Sequence, residues 1–315
     1  MQVVDRSDRR WLQLPLLLCV LQVSAAPLTP ADYRAAARLQ AGDDLGSYSD
    51  RMCSPVDPSN PALRSVIPPT RVFDNLIFLG NGRRNSWALL TSQGIVLFDA
   101  MANDQEAQHY IVDGLAELGF DPRQIRMVVI MHGHEDNFGG ARYLQEKFGV
   151  PVLASADDWK LIGTVELSPA YGGRRPLRDR ILRDGGRLRL GDTAVRFYVT
   201  PGHTPGSLAA LIPLRDGDRH HMAVHWGGAG IPGERKWIDA YLASLRRMRA
   251  IAARSHADVL ISNHPLSDVT LARLPALAGR KAGEPHPFVL GETGYLRSLD
   301  ILTNCARAAA AEHSR

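Results

Sequence analysis

The sequence HGHEDN, residues 132–137, follows directly on the apolar run RMVVIM, residues 126–131. The run is rich in β-branched and other apolar residues and is bounded by polar ones, which predicts a short buried strand. His132 and His134 are two residues apart, so in an extended segment both imidazoles project to the same side and can share one metal ion. Asp136 follows two residues later, in a position to hold a second ion or to orient a metal-bound water. This stretch therefore predicts the centre of a metal site.

Two later histidines follow strand candidates in the same way. The turn TPGHTPGS, residues 200–207, contains two prolines and two glycines, which hold the chain stiffly around His203. A further apolar run is followed by His264. His132, His203 and His264 thus each lie just past the end of a predicted strand, which is where layered α/β proteins gather their functional sites.

The remaining elements are predicted to alternate between strand and helix. The strand 95–98, the helix 103–118 and the strand 126–131 form a βαβ unit, whose crossover implies neighbouring parallel strands. Asn103 is predicted to cap the N-terminus of that helix. The other predicted elements are a helix at 31–40, an extended Pro-rich arm at 54–70, antiparallel strands at 71–79 and 86–90, a helix at 138–148, a strand at 152–155, a surface loop at 171–186, strands at 194–199, 208–212, 220–226 and 259–262, and a helix at 237–254.

The composition is that of a globular protein with one large or two modest domains. The chain has 315 residues, of which 45% are hydrophobic and 22% are charged. The formal charge is +4, from 37 basic and 33 acidic side chains, and the basic residues are spread along the chain in short pairs. A nucleic-acid surface more often shows a clustered basic stripe, so we predict no nucleic-acid partner.

The N-terminus has the pattern of an export signal. Three arginines precede an apolar run at 11–23, and small residues at 24–26 offer a cleavage site. The run is too short for a comfortable transmembrane helix, so we predict an exported protein, periplasmic or secreted, without membrane association once the signal is cleaved. The alternative is an uncleaved anchor. The predicted organisation is a signal peptide at 1–26, an N-terminal helix and Pro-rich arm at 27–69, and a core domain at 70–315.

Cleavage would leave Cys53 and Cys305 as the only cysteines. Two thiols in an oxidising compartment can pair, and a bridge would tie the N-terminal arm to the last helix. The alternative is two separate buried thiols. The sequence leaves both open, because it does not give the distance between the two Cα atoms.

The motifs HGHEDN, PGHTPGS and SNHP, in this order and spacing, resemble those of the metallo-β-lactamase superfamily. Within it they are most similar to the third subclass of metallo-β-lactamases, whose metal sites use histidine and aspartate without cysteine. The resemblance covers roughly residues 70 to 310. It implies an α/β fold, the four-layer αβ/βα sandwich, in which two mixed β-sheets are flanked by helices and zinc lies at one edge.

The resemblance implies a first zinc site formed by His132, His134 and His203. Three neutral imidazoles and a water give a tetrahedral site with an open catalytic position. Asp136 and His264 would serve a second site. Asp136 would also be the catalytic residue, because its carboxylate would orient the zinc-activated water toward a carbonyl carbon.

The sequence departs from the family motif at Asn137, where the family has a histidine ligand of the second site. An amide oxygen is a harder and weaker ligand for zinc than an imidazole. We therefore expect one firmly bound zinc ion and a second that binds weakly or is replaced by another metal. Glu135 could compensate in principle, but neighbouring side chains alternate in direction, so we predict that Glu135 points to the surface.

A second departure concerns the substrate. Lactamases of this subclass often place serines after the strand that corresponds to 220–226, where the serines meet the carboxylate of the drug, but this chain has glycines and an alanine at 227–230. No substrate-binding residue is therefore assigned from the sequence. His225 and Trp226 either line the pocket or finish the strand, and we predict the structural role. Four further histidines match no ligand position and are predicted to lie at the surface or behind the ligands: His220, His221, His256 and His286.

The resemblance implies a zinc-dependent hydrolase that opens the β-lactam ring of antibiotics and so confers resistance to them, with a small molecule as its substrate. One alternative is a hydrolase of the same fold that acts on another ester, lactone or amide, which Asn137 and the missing serines favour. A weakly active relative with a degraded second zinc site is a variant of that alternative. A descendant that only binds a ligand is the third possibility, and the intact histidines and Asp136 argue against it.

Overall fold

A computed structural model of the chain describes residues 28–55, 57–281 and 283–313. The export signal predicted at 1–26 lies outside these residues. Within them the chain forms two β-sheets that pack face to face, with helices on the outer face of each sheet. This is the predicted four-layer α/β sandwich.

The first sheet has seven strands in the order of the sequence. Strands β1 to β4 pair antiparallel, and β4 to β7 pair parallel. The parallel pairing of β4 with β5 confirms the predicted βαβ unit. The strands are β1 (Thr70–Phe73), β2 (Leu76–Gly80), β3 (Asn85–Thr91), β4 (Gly94–Phe98), β5 (Ile125–Val129), β6 (Val152–Ser155) and β7 (Arg180–Leu182).

Two predictions for this sheet are wrong in detail. The segment 71–79 is a hairpin of two strands, because Asp74 and Asn75, which favour turns, reverse the chain between β1 and β2. Asn75 is also buried and fixes that turn to the second sheet, since its Nδ2 donates to Pro213 O at 3.0 Å and its Oδ1 accepts from Arg215 N at 2.9 Å. The segment 171–186 is only partly a loop, since β7 lies within it and extends the sheet beside β6.

The second sheet has five strands in the order β12-β11-β10-β9-β8. All pairs are antiparallel except β11 with β12, which is parallel. Strand β8 was not predicted from the sequence, since its polar arginines alternate with only two leucines. The strands are β8 (Arg187–Leu190), β9 (Thr193–Val199), β10 (Leu208–Asp216), β11 (Arg219–Trp226) and β12 (Val259–Ser262).

The helices cover both outer faces. None of those among the described residues is long and apolar enough to cross a membrane. They are α1 (Pro30–Ala41), α2 (Gly46–Met52), α3 (Asp104–Glu106), α4 (Gly114–Glu117), α5 (Glu135–Phe138), α6 (Ala141–Phe148), α7 (Ala156–Thr164), α8 (Arg235–Arg254), α9 (Thr270–Ala278) and α10 (Gly291–Glu312).

The helix predicted at 103–118 is continuous but not uniform. Asn103 caps it as predicted, because its side chain accepts from Glu106 N at 2.9 Å. Between α3 and α4 the chain makes a π-helical stretch, Ala107–Asp113. The helix predicted at 138–148 is instead two pieces, α5 and α6, separated at Gly139 and Gly140.

The main core lies between the two sheets, where large side chains such as Phe78, Trp87, Phe98 and Phe197 are fully buried. The helix predicted at 31–40 is present as α1 and packs on the second sheet's helical layer. Ala37 of α1 is fully buried in the same cluster as side chains from α8 and α10, so the N-terminal segment completes the helical layer on the second sheet.

Cys53 and Cys305 form a disulfide, with their Cα atoms 4.6 Å apart. Cys53 follows the end of α2, and Cys305 lies in the middle of α10. Of the two possibilities that the sequence left open, the structure therefore shows the bridge. It joins the N-terminal segment to the last helix across 252 positions of the sequence.

Candidate metal centre

Four histidines meet at one edge of the sandwich. They follow the ends of β5 and β12 or lie in the turn that joins β9 to β10. The ring centroids of His132 and His134 are 4.9 Å apart, and that of His203 lies 4.6 Å from His132 and 4.7 Å from His134. The ring of His264 is 5.9 Å from that of His132. Strand ends that are far apart in the sequence thus bring together the three histidine motifs, as their placement predicted.

The potential ligand atoms form two groups, in each of which all atoms lie within 4.8 Å of one another. The first contains His132, His134 and His203, and the second contains His132, Asp136 and His264. His132 belongs to both groups. All five side chains that the sequence assigned to the two metal sites are therefore in one cluster, with Asp136 Oδ2 4.0 Å from His264 Nε2.

Hydrogen bonds to backbone carbonyls orient two of the rings. His203 Nδ1 lies 2.9 Å from Gly230 O, and His264 Nδ1 lies 2.9 Å from Arg83 O. Because a carbonyl can only accept, each Nδ1 carries the proton and each Nε2 is left with a free lone pair. Histidines that bind metals in proteins are fixed in this way, with one nitrogen donating and the other facing the ion.

His132 is oriented by a buried polar pair. Asn263 Nδ2 lies 2.8 Å from His132 Nδ1, and it donates to Asp99 Oδ2 at 3.0 Å and to Gly227 O at 2.9 Å. Asp99 also accepts from Met131 N at 2.7 Å, and its backbone is left-handed, with φ of 65°. A non-glycine residue in that region is uncommon and is held by its surroundings. Asn263 belongs to the motif SNHP, but its role was not predicted.

Burial keeps the three histidines of the first group neutral. It lowers the pKa of His132 well below 6.5, and the nearby His203 and His134 rings lower it further. Burial lowers the pKa of His134 as well, and it lowers the pKa of His203 to about 3. Neutral imidazoles are the form that binds transition metals, so the donor set fits a zinc-like ion.

Asn137 is almost completely buried beside the cluster. Its Nδ2 donates to Asp136 Oδ1 at 2.9 Å and lies 3.1 Å from His132 Nε2. Its Oδ1 is buried with no hydrogen-bond partner among the described residues. A half-turn of the amide would direct this oxygen at the cluster, where a cation would satisfy it. Asn137 therefore lies beside both groups of potential ligands, and its amide oxygen would be a weaker donor to zinc than the imidazole of the family motif.

The prediction for Glu135 is wrong. Glu135 is only 5% exposed, and its carboxylate accepts from Ser168 N at 2.5 Å and from Gly173 N at 3.0 Å. The prediction assumed that strand alternation continues past His134, but helix α5 begins at Glu135 and turns the side chain inward. Glu135 thus fastens the loop before β7 beside the metal centre and belongs to neither group of metal ligands.

The glycines at 228 and 230 are required by close packing. A Cβ at Gly228 would come within 3.0 Å of His203 Cβ, and one at Gly230 would lie 2.9 Å from His203 Cε1. The loop at 227–230 therefore presses directly on His203. Trp226 has the predicted structural role, since its Nε1 donates to Gly228 O at 2.8 Å and so fixes this loop.

Two of the four unassigned histidines lie in the interior, away from the metal centre. His286 is 5% exposed, stacks on Phe73 at 4.0 Å and contacts Val72 O through Nε2 at 2.8 Å. His221 Nδ1 lies 2.6 Å from Asp258 Oδ2. Both bind neighbouring elements together, which corrects the prediction of a surface position or a place behind the ligands. His220 and His256 are exposed, as predicted.

His225 is an unexpected feature of the core between the sheets. It is fully buried against Phe98, with the ring centroids 5.6 Å apart, and neither ring nitrogen has a hydrogen-bond partner among the described residues. Burial lowers its pKa to about 3. The folded protein therefore holds this imidazole neutral, which confirms the predicted structural role. Burying its two ring nitrogens without hydrogen bonds destabilises the fold.

We predict that His225→Leu makes the protein more resistant to acid. A histidine whose folded pKa lies below its unfolded value gives stability that is lost as the pH falls, and a shift to about 3 corresponds to a loss of about 1 kcal/mol between pH 7 and pH 5.5. Between pH 7 and pH 5.5 the free energy of unfolding should therefore fall by about 1 kcal/mol less in the variant than in the wild type. Urea unfolding with chelator present measures both values. The exposed His220→Leu serves as the control, and equal losses in all three proteins would contradict the prediction.

Comparisons with known proteins agree with this geometry. Residues 79–216 match the sequence profile of the metallo-beta-lactamase superfamily. A metallo-beta-lactamase type 2 from Bacillus cereus is 32% identical over 130 residues, which are 41% of this chain and 46% of that protein. An N-acyl homoserine lactonase, AttM, from Rhizobium johnstonii is 23% identical over 188 residues, which are 52% of this chain and 67% of that protein.

Solved structures extend the similarity over most of the chain. The crystal structure of BJP-1, a subclass B3 metallo-beta-lactamase of Bradyrhizobium japonicum, superposes with a TM-score of 0.64 at 25% identity. The match covers 80% of this chain and 94% of that one. The resemblance predicted from the three motifs, including the subclass, is thus confirmed, and so are the fold and the assignment to a class of metal-dependent hydrolases.

Proposed function

From this metallo-β-lactamase fold with its cluster of four histidines and an aspartate, we propose that the protein is a zinc-dependent hydrolase that opens the β-lactam ring of antibiotics. The observation that carries the proposal is the first group of ligands. His132, His134 and His203 are neutral and converge within 4.8 Å, on a fold shared with a subclass B3 metallo-β-lactamase. We further propose one firmly bound zinc ion and a second, weaker site that uses Asp136 and His264.

The three imidazoles would hold the zinc ion, which would supply a Lewis acid and lower the pKa of a bound water to about 7. Asp136 lies beside them with its Oδ1 occupied by Asn137 Nδ2, and its Oδ2 is the oxygen nearer to His264. Asp136 Oδ2 is therefore the group placed to accept the proton of the attacking water. It can then pass that proton to the nitrogen that leaves when the amide bond breaks.

The loop at 227–230 bears on which substrate is used. Its glycines leave no hydroxyl there to bind a substrate carboxylate, and their packing against His203 leaves no room for one. A second candidate function follows from this observation: hydrolysis of a lactone, ester or other amide by the same centre. The similarity to an N-acyl homoserine lactonase supports that candidate, since its name describes a ring ester rather than a ring amide.

Export to the periplasm or the exterior is part of the proposal. The pattern of a signal peptide at 1–26 predicts it, and the disulfide between Cys53 and Cys305 supports it, because such bridges persist in oxidising compartments. A periplasmic hydrolase would meet β-lactams before they reach their targets, which would give resistance.

The test is ring opening by the purified, zinc-loaded protein, followed by absorbance with a penicillin, a cephalosporin and a carbapenem, and with a homoserine lactone in parallel. We expect turnover of at least one β-lactam, loss of turnover with chelator and recovery when zinc is added back. Turnover of the lactone alone would replace the leading proposal by the second. A zinc-loaded protein that turns over none of the four would contradict both.

A further inference from the structure

The histidines of the first group lie on two separate loops, and one buried carboxylate binds both loops. Asp158, in helix α7, is 1% exposed. Its Oδ2 accepts from Gly133 N at 2.8 Å and from Thr204 Oγ1 at 2.8 Å, and its Oδ1 accepts from Gly206 N at 2.8 Å. Gly133 separates His132 from His134, and Thr204 directly follows His203. The hydrogen bond from Gly133 N therefore holds the backbone between two of the histidines, and the other two hold the turn that follows His203.

Helix α7 offers this carboxylate from a fixed position. Ser155 caps the helix, accepting from Asp158 N at 3.1 Å. The turn after His203 packs directly on this end of the helix, because a Cβ at Gly206 would overlap Ser155 Oγ and lie 2.5 Å from Asp158 N. A Cβ at Gly133 would lie 3.3 Å from Asp158 Cβ. Both loops are thus in contact with the first turn of the same rigid element.

His134 depends most on this arrangement. The rings of His132, His203 and His264 each have a hydrogen-bond partner that orients them, but among the described residues the ring of His134 has none. Its position is therefore set by its backbone, and the nearest side chain that holds this backbone is Asp158, through Gly133 N. Without that contact the His134 backbone would be held, within the part of the chain that the structure describes, only at its carbonyl, by Asn137 N and Phe138 N, and the distance between the two loops would no longer be fixed by Asp158.

We propose that Asp158 is a positioning residue for the metal centre, which holds the His132–His134 segment and the His203 turn at the separation that one ion requires. The proposal rests on the proposed function, since it presumes an ion bound by these three histidines. Groups behind the ligands that fix their direction typically change metal affinity by about 10- to 100-fold when removed.

The experiment is a titration with Co²⁺, whose visible absorption reports the number and geometry of its ligands, in full-length Asp158→Asn. The amide of asparagine offers one acceptor oxygen where the carboxylate offers two. Its NH₂ group would face a backbone N–H, so the hydrogen bond that this N–H donates is lost. We expect the dissociation constant for Co²⁺ to rise by about 10- to 100-fold and the spectrum of the loaded protein to change. The matched control is Asp157→Asn, whose carboxylate is exposed and binds Lys160 Nζ at 2.8 Å. It should behave as the wild type.

A purely structural role would lower the melting temperature of the metal-free protein and leave the spectrum of the loaded, folded protein unchanged. That outcome, or an unchanged dissociation constant, would overturn the proposal while leaving the proposed function intact. If Asp158→Asn does not fold by circular dichroism, Thr204→Val decides, because it keeps the carboxylate and removes one of its two hydrogen bonds to the His203 turn, together with the contact between Thr204 Oγ1 and Ser207 Oγ. It should weaken Co²⁺ about 10-fold, and unchanged binding would overturn the role. A wild type that binds neither Co²⁺ nor Zn²⁺ would instead refute the proposed function and this role with it.

Discussion

His203→Ala should abolish both tight zinc binding and hydrolysis. His203 supplies one of the three imidazoles of the first group, and its ring is held 2.9 Å from Gly230 O with Nε2 free. Removing a group behind a ligand already costs about 10- to 100-fold in affinity, so removing the ligand itself should cost at least about 1,000-fold in affinity and in kcat/KM. The measurements are zinc content after gel filtration and the initial rate on the best substrate of the panel.

The control for this variant is His220→Ala, since His220 is exposed at the start of β11 and far from the cluster in the sheet. It should keep full zinc content and activity. The melting temperature of metal-free His203→Ala should remain near that of the metal-free wild type, because the truncation also relieves the burial of a neutral imidazole. Zinc bound at wild-type affinity in His203→Ala would show that the ion is held elsewhere, and the proposed mechanism would fall.

Asn137→His should turn the weak second site into a tight one. Asn137 Nδ2 lies 2.9 Å from Asp136 Oδ1 and 3.1 Å from His132 Nε2, so an imidazole at 137 would enter the cluster beside Asp136. Together with Asp136 and His264 it would give the second ion two nitrogens and a carboxylate, which zinc prefers to an amide oxygen. We expect zinc content to rise from one to two ions per chain and hydrolysis of β-lactams to increase by about 10-fold or more.

Asn137→Ala separates this effect from the mere loss of the amide. It removes the unpartnered buried Oδ1 without adding a ligand, so its zinc content should stay at one ion per chain. Equilibrium dialysis against buffered zinc gives the second dissociation constant directly. A wild type that already holds two ions with similar affinity would contradict the expectation, as would an Asn137→His protein that still holds one.

The histidine and aspartate cluster could be predicted from the sequence, because the types of its residues and their spacing are typical of metal ligands. His132 and His134 share a side in an extended segment, and His203 and His264 each follow an apolar run, so the layered fold brings their strand ends together. The failure at Glu135 shows the limit of that argument. Side chains alternate in direction only as far as the extended segment continues. Nothing in the sequence HGHEDN shows that helix α5 begins at Glu135.

The groups that support the ligands were harder to predict. Asp158 lies 22 residues after Asp136 in a segment that resembles an ordinary amphipathic helix, and only the packing of the His203 turn on that helix reveals its role. Asn263 stands inside a recognised motif, yet its link to Asp99 spans 164 positions of the sequence. Contacts of that range depend on how two sheets stack, and a single sequence without its fold carries no local signal for them.

The bond between Cys53 and Cys305 makes most of the chain a closed covalent loop, with both sheets and every ligand of the metal centre inside it. A protease that cuts once within that loop, for example in the segment before β7, would leave two fragments that still travel as one molecule. They would separate on a denaturing gel only after a thiol is added. If the protein is exported, as proposed, a single cleavage outside the cell would therefore not by itself separate the four histidines of the cluster.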